Sequence, residues 1–120
     1  MAQLTGLNEQ NRRLRLWRSA IRGELRGVLE ASASELVSEQ KALAPRDEGD
    51  LADGITHAPF ETSDAIGQDV ASTDFKTLWH EFGTERHAAS PFFLPPYRAR
   101  RRRFRARITR AINRAASRVQ

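Results

Sequence analysis

The sequence contains no cysteine, which excludes disulfide bonds and thiolate metal ligands and leaves the redox compartment undetermined. It has no apolar run near the roughly 20 residues that a transmembrane helix needs, so we expect no membrane contact. The first residues, MAQLTGLNEQNRRLRLW, lack the apolar core of a signal peptide, which favours a cytoplasmic protein. At 120 residues, the chain is long enough for one domain and too short for two.

Acidic residues are missing from the end of the chain. All fifteen lie at or before Glu85, whereas eleven arginines and no acid follow from Arg86 onward. The net charge of +5 therefore conceals a basic start, an acidic middle from Glu30 and a strongly basic end. Ten of the arginines fall on one predicted helix, where each like-charged pair costs roughly 0.2–0.5 kcal/mol. We therefore expect an acidic partner for them, and a plainly solvated charged face is the alternative.

Three acidic partners fit the first arginines of that helix: DNA phosphates, another protein, or the acidic middle of a second copy. A contact between the acidic middle of one copy and the basic helix of the next would form a ring if its rotation closes. The same two regions could instead pair within one chain, and the sequence does not separate these cases. The candidate interface or DNA-contacting residues are Arg98, Arg100, Arg101, Arg102, Arg103 and Arg105.

The hydrophobic pattern predicts an α+β fold with a long N-terminal helix, a small antiparallel sheet and an arginine-rich C-terminal helix. Apolar residues three or four apart predict the first helix from about Leu7 to Leu43, within a helical region 1–44. A continuous helix of that length would span about 55 Å, so it either breaks near Gly23 and Gly27 or projects beyond its domain. A projecting apolar stripe would need another chain to cover it, whereas a bent helix packed on its own sheet would not.

The region 45–94 is predicted to hold the sheet and loops. Strands are predicted over 51–60 and 65–73, with a chain reversal at 61–64. The segment 75–82 fits either a strand or a short helical turn. In either case we expect its aromatic residues to be buried, namely Phe75, Trp79 and Phe82.

The C-terminal helix is predicted over 95–120. It should begin near Pro95, because Pro95 and Pro96 disfavour helical geometry at Leu94. Arginine covers most of this helix. One apolar face remains, formed by Tyr97, Phe104, Ile108, Ala111, Ile112, Ala115 and Val119.

Two chemical interpretations of the stretch LWHEFGTERHAAS fail on spacing. His80, Glu81 and His87 do not form the H-E-x-x-H pattern that places two imidazoles on one helix face, and no third metal ligand is apparent. The chain has no nucleophile elbow and no phosphate-binding glycine loop, so we predict neither enzymatic activity nor a cofactor. We expect the Glu81 carboxylate to accept backbone hydrogen bonds near Gly83 or to pair with an arginine.

Three ordered blocks, in ALAPRDEGDLADGI and LWHEFGTERHAASPFFLPPYRA, follow a recognisable pattern. They comprise Pro45, Asp47, Gly49, Leu51 and Ile55; then Glu81, Phe82, Gly83 and Thr84; then Pro91, Phe92 and Pro95, with Phe93 and Leu94 in the apolar position. This arrangement resembles the gene-10-like tail-component family of HK-type siphophages and prophages. In that family a long helix precedes a proline, a D-T-G-x-L turn, a short strand, E-F-G-T, P-F-L-x-P-A and a final helix. The chain departs from the pattern at Glu48, Gly54 and Pro96.

The resemblance is close over about residues 40–100, and it implies a structural virion protein that takes part in tail completion or forms part of the neck, where head meets tail. It implies a ring of identical subunits, a hexamer by resemblance, that contacts neighbouring neck and tail-tube proteins with phage DNA in its lumen. Assembly would take place in the host cytoplasm. The motif residues build turns and packing, so we expect a tight bend at Gly83 with Phe82 and Phe92 packed across it. The alternative is a nucleic-acid-binding protein that contacts phosphates through its C-terminal arginines.

Overall fold

The computed structural model describes residues 2–46 and 49–119. The fold is α+β, with a long first helix, a small sheet and an arginine-rich last helix, as predicted. In the hairpin formed by the two strands, Ile55 pairs with Ser72 and Glu61 with Ile66 in an antiparallel register. The elements within the described ranges are α1 (Ala2–Leu43), α2 (Gly49–Asp53), β1 (Ile55–Glu61), β2 (Ile66–Ser72), α3 (Lys76–Phe82) and α4 (Leu94–Arg118).

The first helix, α1, is unbroken and makes the molecule elongated. It continues through Gly23 and Gly27, and its 42 residues span about 63 Å. The molecule measures 73 × 21 × 21 Å, and its Cα radius of gyration is 20.0 Å, against about 14 Å for a compact chain of this length. Of the alternatives that the sequence left open, the projecting helix is the one observed.

The last helix, α4, runs antiparallel along α1. Its start lies beside Gln40, whose side-chain amide donates to the Phe93 carbonyl, and its end lies beside Glu24, which contacts Arg118. Near the start of α1, Leu7 is exposed, and so are other large apolar side chains. None of the helices within the described ranges is long and apolar enough to cross a membrane.

The main buried cluster lies where the end of α1, the short helix α2, the start of β1 and the segment before α4 meet. Its members are Val37, Ala44, Leu51, Ile55 and Phe92. The strand predicted over 51–60 is wrong at its start, because 51–53 belong to α2, where the Gly54 N–H closes a helical turn on the Asp50 carbonyl at 3.0 Å. This turn brings Leu51 into the cluster, where it is fully buried.

The segment α3 is helical, which decides between the two geometries that the sequence allowed. The burial predicted for Phe75, Trp79 and Phe82 is wrong, because all three are exposed. The buried side chain of α3 is Thr77, whose Oγ1 lies 2.7 Å from the Ser72 Oγ of β2. The helix therefore faces the hairpin with a small polar residue and turns its aromatic side to solvent.

The helix α4 begins at Leu94, one residue before the predicted start at Pro95. Pro96 lies inside its first turn, where the missing N–H costs no intrahelical hydrogen bond. Most of the predicted apolar face is buried or half-buried against α1, with Phe104, Ala111 and Ala115 innermost. Tyr97 is the exception, because it is 44% exposed.

Candidate functional site

The three sequence blocks that carry the family resemblance meet in the folded chain. Leu51 and Ile55 of the first block and Phe92 of the third lie in one buried cluster. Glu81 of the second block hydrogen-bonds to the backbone N–H of the same Phe92. Residues from three separate parts of the sequence thus form one structural corner, which fixes where α4 begins.

The remaining members of the first and third blocks lie around this corner. Pro45 is half-buried two residues after the end of α1, and Gly49 begins α2. Pro91 is exposed, and Pro95 is half-buried in the first turn of α4. Two block positions lie outside the described residues, Asp47 and Glu48.

Glu81, at the end of α3, caps the start of α4. Its Oε1 accepts the N–H of Phe92 at 2.7 Å and the N–H of Phe93 at 2.5 Å, and its Oε2 accepts the N–H of Leu94 at 3.3 Å. Phe93 is the N-cap residue of α4 and has no side-chain cap of its own. The carboxylate therefore supplies acceptors for unpaired amides and a negative charge at the positive end of the helix dipole. Of the two predictions for Glu81, backbone hydrogen bonding is the one observed, but its partners lie at the start of α4 and not at the Gly83 turn.

Gly83 forms the bend after α3. Its φ of 77° lies in the left-handed region, and a Cβ there would approach the Ala89 backbone nitrogen to 2.9 Å. Thr84 then closes a small turn: its N–H donates to the His87 carbonyl at 2.9 Å, and its Oγ1 accepts the His87 N–H at 3.1 Å. The tight bend expected at this motif is present, and glycine is required for it.

The ring that packs against Phe92 is that of His80 and not that of Phe82. Phe82 is 70% exposed, so the expected packing of Phe82 on Phe92 is wrong. The His80 ring contacts Phe92 edge to face, with ring centroids 6.0 Å apart. Nowhere in residues 2–46 and 49–119 do three His, Cys, Asp or Glu side chains form a group that could hold a metal ion.

One side of α4 is joined to α1 by ion pairs centred on Glu35. Arg100, Arg103 and Arg107 all contact this carboxylate, and Arg107 Nη1 lies 2.6 Å from its Oε2. The Arg107 hydrogen bond and the charges of all three guanidinium groups hold the pKa of Glu35 below its ordinary value, against an opposing effect of desolvation. The repulsion among these arginines is therefore offset by a carboxylate of the same chain.

Two more carboxylates of α1 continue this row. Glu39 pairs with Arg100, and Glu24 pairs with Arg114 and Arg118. This is the within-chain arrangement that the sequence left open. The charge segregation along the sequence therefore serves, on this side of α4, to hold the two long helices together.

A second set of ion pairs joins the β-hairpin to α1. Glu61 accepts the Arg26 Nε at 2.8 Å and its Nη2 at 2.9 Å, and it also accepts Arg22 at 3.3 Å. The bidentate hydrogen bond from Arg26 lowers the pKa of Glu61 and raises the pKa of Arg26. Arg22 also donates to the Ser63 carbonyl at 3.0 Å, so the end of β1 and the turn that follows it are both tied to α1.

The other side of α4 presents arginines that no carboxylate of the described chain pairs with. Three of them fall at i, i+3 and i+7 and so project from one side of the helix, with the fourth beside them. The sequence groups six arginines as one candidate contact, whereas the structure separates Arg100 and Arg103, which are paired, from the rest. Within this candidate set the unpaired arginines, all exposed, are Arg98, Arg101, Arg102 and Arg105.

An apolar groove of about 500 Å³ lies between α1, β2 and α4, beside the unpaired arginines. Leu36 of α1, Val70 of β2 and Phe104 of α4 line it, and so do the side chains of Arg101 and Arg105. Its volume falls within the roughly 300–1,000 Å³ of typical binding pockets. An apolar surface flanked by two uncompensated positive charges favours an occupant that is itself apolar with acidic flanks.

Gln40 also lines the groove and carries an unpaired hydrogen-bond acceptor. This residue is 1% exposed, and its Nε2 donates to the Phe93 carbonyl at 2.7 Å. Among the described residues, its Oε1 has no hydrogen-bond partner. A buried acceptor without a partner costs about 1–3 kcal/mol, so a donor from a bound group would relieve it.

A separate exposed apolar surface lies on α3, and sequence reasoning missed it. Its spacing of i, i+3, i+4 and i+7 places four large side chains on one side of the helix. This spacing is visible in the sequence and indicates that the four side chains share one side of a helix. Their residue types predict that this side is buried, whereas in the structure the buried side is the one that carries Thr77. We call this surface the α3 face, and its exposure runs from 51% at Trp79 to 70% at Phe82. It consists of Phe75, Leu78, Trp79 and Phe82.

Comparisons with known proteins add no assignment. No family model matches the chain, and neither a curated protein nor a solved structure matches it. A functional proposal therefore rests on the sequence resemblance and on the surfaces described above.

Proposed function

We propose that this chain is a structural protein of a tailed phage, prophage or gene-transfer particle. It takes part in tail completion or forms part of the neck at the head–tail junction, and it acts by assembly into a ring and not by catalysis. The observation that carries the proposal is the meeting of the three motif blocks in one corner. There Phe92 packs with Leu51 and Ile55, and Glu81 caps the helix that follows.

The exposed surfaces support an assembling subunit. Soluble monomers rarely expose large contiguous apolar patches, and such patches usually mark interaction sites. This chain carries both an exposed apolar face on α3 and an apolar groove beside α4. Neighbouring copies in a ring, together with the neck and tail-tube proteins, are the partners that the proposal assigns to such surfaces.

Deletion of the gene from the genome that encodes it tests this function. The proposal predicts that electron micrographs of the lysate show DNA-filled heads beside unattached or overlong tails. Wild-type protein supplied from a plasmid should restore joined particles, which controls for effects on neighbouring genes. Normal joined particles in the deletion lysate would contradict the proposal.

Nucleic-acid binding is the second candidate, and the unpaired arginines favour it. These four side chains lie close together on an exposed side of α4, where DNA phosphates would neutralise them. Each phosphate contact contributes about −0.9 to the slope of log affinity against log salt on duplex DNA, so four contacts predict a slope of about −3.6.

Fluorescence anisotropy with a DNA duplex over a salt series tests this candidate. Replacement of Arg98, Arg101 and Arg105 by glutamine should remove about three phosphate contacts and so make the slope shallower by about 2.7. The matched control replaces three exposed arginines of α1 and removes the same charge from another surface: Arg12, Arg13 and Arg15. Absence of binding at low salt, or an equal effect of the two triple variants, would reject this candidate.

A further inference from the structure

We propose that the α3 face of one copy binds in the apolar groove of the next copy. The inference rests on the proposed assembly function and names the contact that would join the subunits. Neither surface is occupied within its own chain, because the α3 face is exposed and the groove is open to solvent. The two surfaces lie on different elements, and we take the contact to be head to tail, with each copy binding one neighbour through its α3 face and another through its groove.

The shape of the α3 face fits this mode of binding. An amphipathic helix that binds a groove usually inserts side chains at i, i+3, i+4 and i+7. Phe75, Leu78, Trp79 and Phe82 have this spacing, and the rings of Phe75 and Trp79 already contact each other edge to face at 5.1 Å. Large aromatic anchors of this kind carry much of the binding energy in protein interfaces.

Charge favours α3 as the occupant over the other exposed apolar segment of the chain. The groove is lined in part by Arg101 and Arg105, neither of which has an ion-pair partner among the described residues. Acidic residues stand on both sides of α3: Asp74, which pairs with Lys76 at 3.7 Å, precedes it, and the exposed Glu85 follows it. The exposed leucines near the start of α1 are interspersed with arginines at 12, 13 and 15, which the groove arginines would repel.

The unpaired acceptor in the groove also fits this occupant. Gln40 Oε1 lacks a donor, and Trp79 carries an indole N–H on the α3 face. A buried indole N–H usually finds a hydrogen-bond partner. Insertion of Trp79 from a second copy would therefore bury an aromatic ring and, with a shift of the groove side chains that cover the Gln40 Oε1, supply a donor to it.

A head-to-tail contact has a consequence that a symmetric contact lacks. Each copy uses two different surfaces, so a chain that has lost one still keeps the other. Repetition of the contact gives a ring if the rotation between copies closes and a filament if it does not. A self-complementary contact between two identical surfaces would stop at a dimer.

Two double variants of the full chain and a control test the contact by sedimentation velocity over a wide concentration range. The face variant carries Trp79→Ala and Phe82→Ala, and the groove variant carries Tyr97→Ala and Arg101→Glu, both of which change residues that line the groove. All four positions are exposed, so the fold should be retained, which circular dichroism and thermal melting check. The control variant carries two exposed apolar losses outside both surfaces, Leu14→Ala and Leu16→Ala.

The proposal predicts that wild type and control variant assemble beyond a dimer, whereas the face variant and the groove variant are each monomeric. An equimolar mixture of the last two should form a heterodimer, because one supplies an intact face and the other an intact groove. The proposal is overturned if wild type is monomeric throughout, if either variant assembles like wild type, or if the mixture contains no heterodimer. Equal loss of assembly in the control variant would also overturn it.

A milder substitution keeps the test independent of any fault in folding. Trp79→Phe retains an aromatic ring but removes the indole N–H, and loss of one hydrogen bond should weaken association by about 2- to 10-fold. The same substitution in the presence of Gln40→Leu should have a smaller effect, because the acceptor is then absent; circular dichroism and thermal melting check that this background folds without the Gln40–Phe93 hydrogen bond. An equal effect in both backgrounds would show that Trp79 does not pair with Gln40 and would remove this part of the proposal.

Failure of this contact and failure of the proposed function give different results. If the deletion lysate lacks joined particles but the variant mixture yields no heterodimer, the function stands and the contact is wrong. If the heterodimer forms but deletion leaves normal particles, the contact stands and the placement at the head–tail junction is wrong.

Discussion

The carboxylate of Glu81 lies 2.7 Å from the backbone nitrogen of Phe92, so the end of α3 caps the start of α4. Because Oε1 also accepts the Phe93 N–H, Glu81→Ala should leave partly buried amides unpaired and lower the free energy of unfolding by about 1–3 kcal/mol. Glu81→Gln keeps a carbonyl acceptor and should cost less. Urea denaturation measures both, with the exposed Glu85→Ala as control. Equal stabilities of Glu81→Ala and Glu85→Ala would contradict the capping role.

One substitution should have opposite effects at two glycines. Gly83→Ala should destabilise the fold by more than about 1 kcal/mol, because φ is 77° and the new Cβ would meet the Ala89 backbone. Gly23→Ala should stabilise it by about 0.5–1 kcal/mol, because alanine favours a helix interior and the site is open. Thermal melting of the two variants compares them directly. A stabilised Gly83→Ala protein would show that the bend does not depend on glycine.

Acid should weaken the attachment of α4 to α1. The folded-state pKa of Glu35 is lowered, first by the Arg107 hydrogen bond, so its stabilising effect is fully present above the unfolded pKa of about 4.3. As pH falls through the folded pKa, the carboxylate takes up a proton and this contribution is lost. The free energy of unfolding of wild type should therefore fall below about pH 4.

Glu35→Gln isolates this effect. The variant should be less stable than wild type near neutral pH, and the difference should shrink as the pH is lowered. Glu61 has a pKa lowered by Arg26, so some acid dependence should remain in the variant. Urea midpoints over a pH series measure the stabilities of wild type and Glu35→Gln. Identical pH profiles for these two proteins would show that Glu35 does not contribute to the acid sensitivity.

Local patterns predict most of the elements but not their tertiary placement. Apolar spacing indicates both long helices, and the reversal at 61–64 separates the two strands as expected. The continuity of α1 through Gly23 and Gly27 depends on α4 packed alongside and bridged by ion pairs, which propensity cannot register. Leu51 looks like the start of a strand, but burial in the main cluster holds it in a helical turn.

The candidate surfaces were less accessible to sequence reasoning than the fold. The row of arginines on α4 is visible in the sequence, but the glutamates of α1 decide which members are neutralised, and that depends on how the two helices face each other. The aromatic residues on α3 belong to residue types that are usually buried, so the sequence predicts that this side of the helix is buried. Only the position of Thr77 against Ser72 shows that the helix presents the opposite side to the hairpin.

The most direct test of the central claim is the position of this chain in the finished particle. Antibody raised against the purified protein, coupled to gold, should label DNA-filled particles at one point, where head meets tail. Peptides of the chain should also appear in the mass spectrum of purified particles at a fixed, low copy number. Particles that carry neither label nor peptides, while the chain remains in the soluble lysate, would contradict the account.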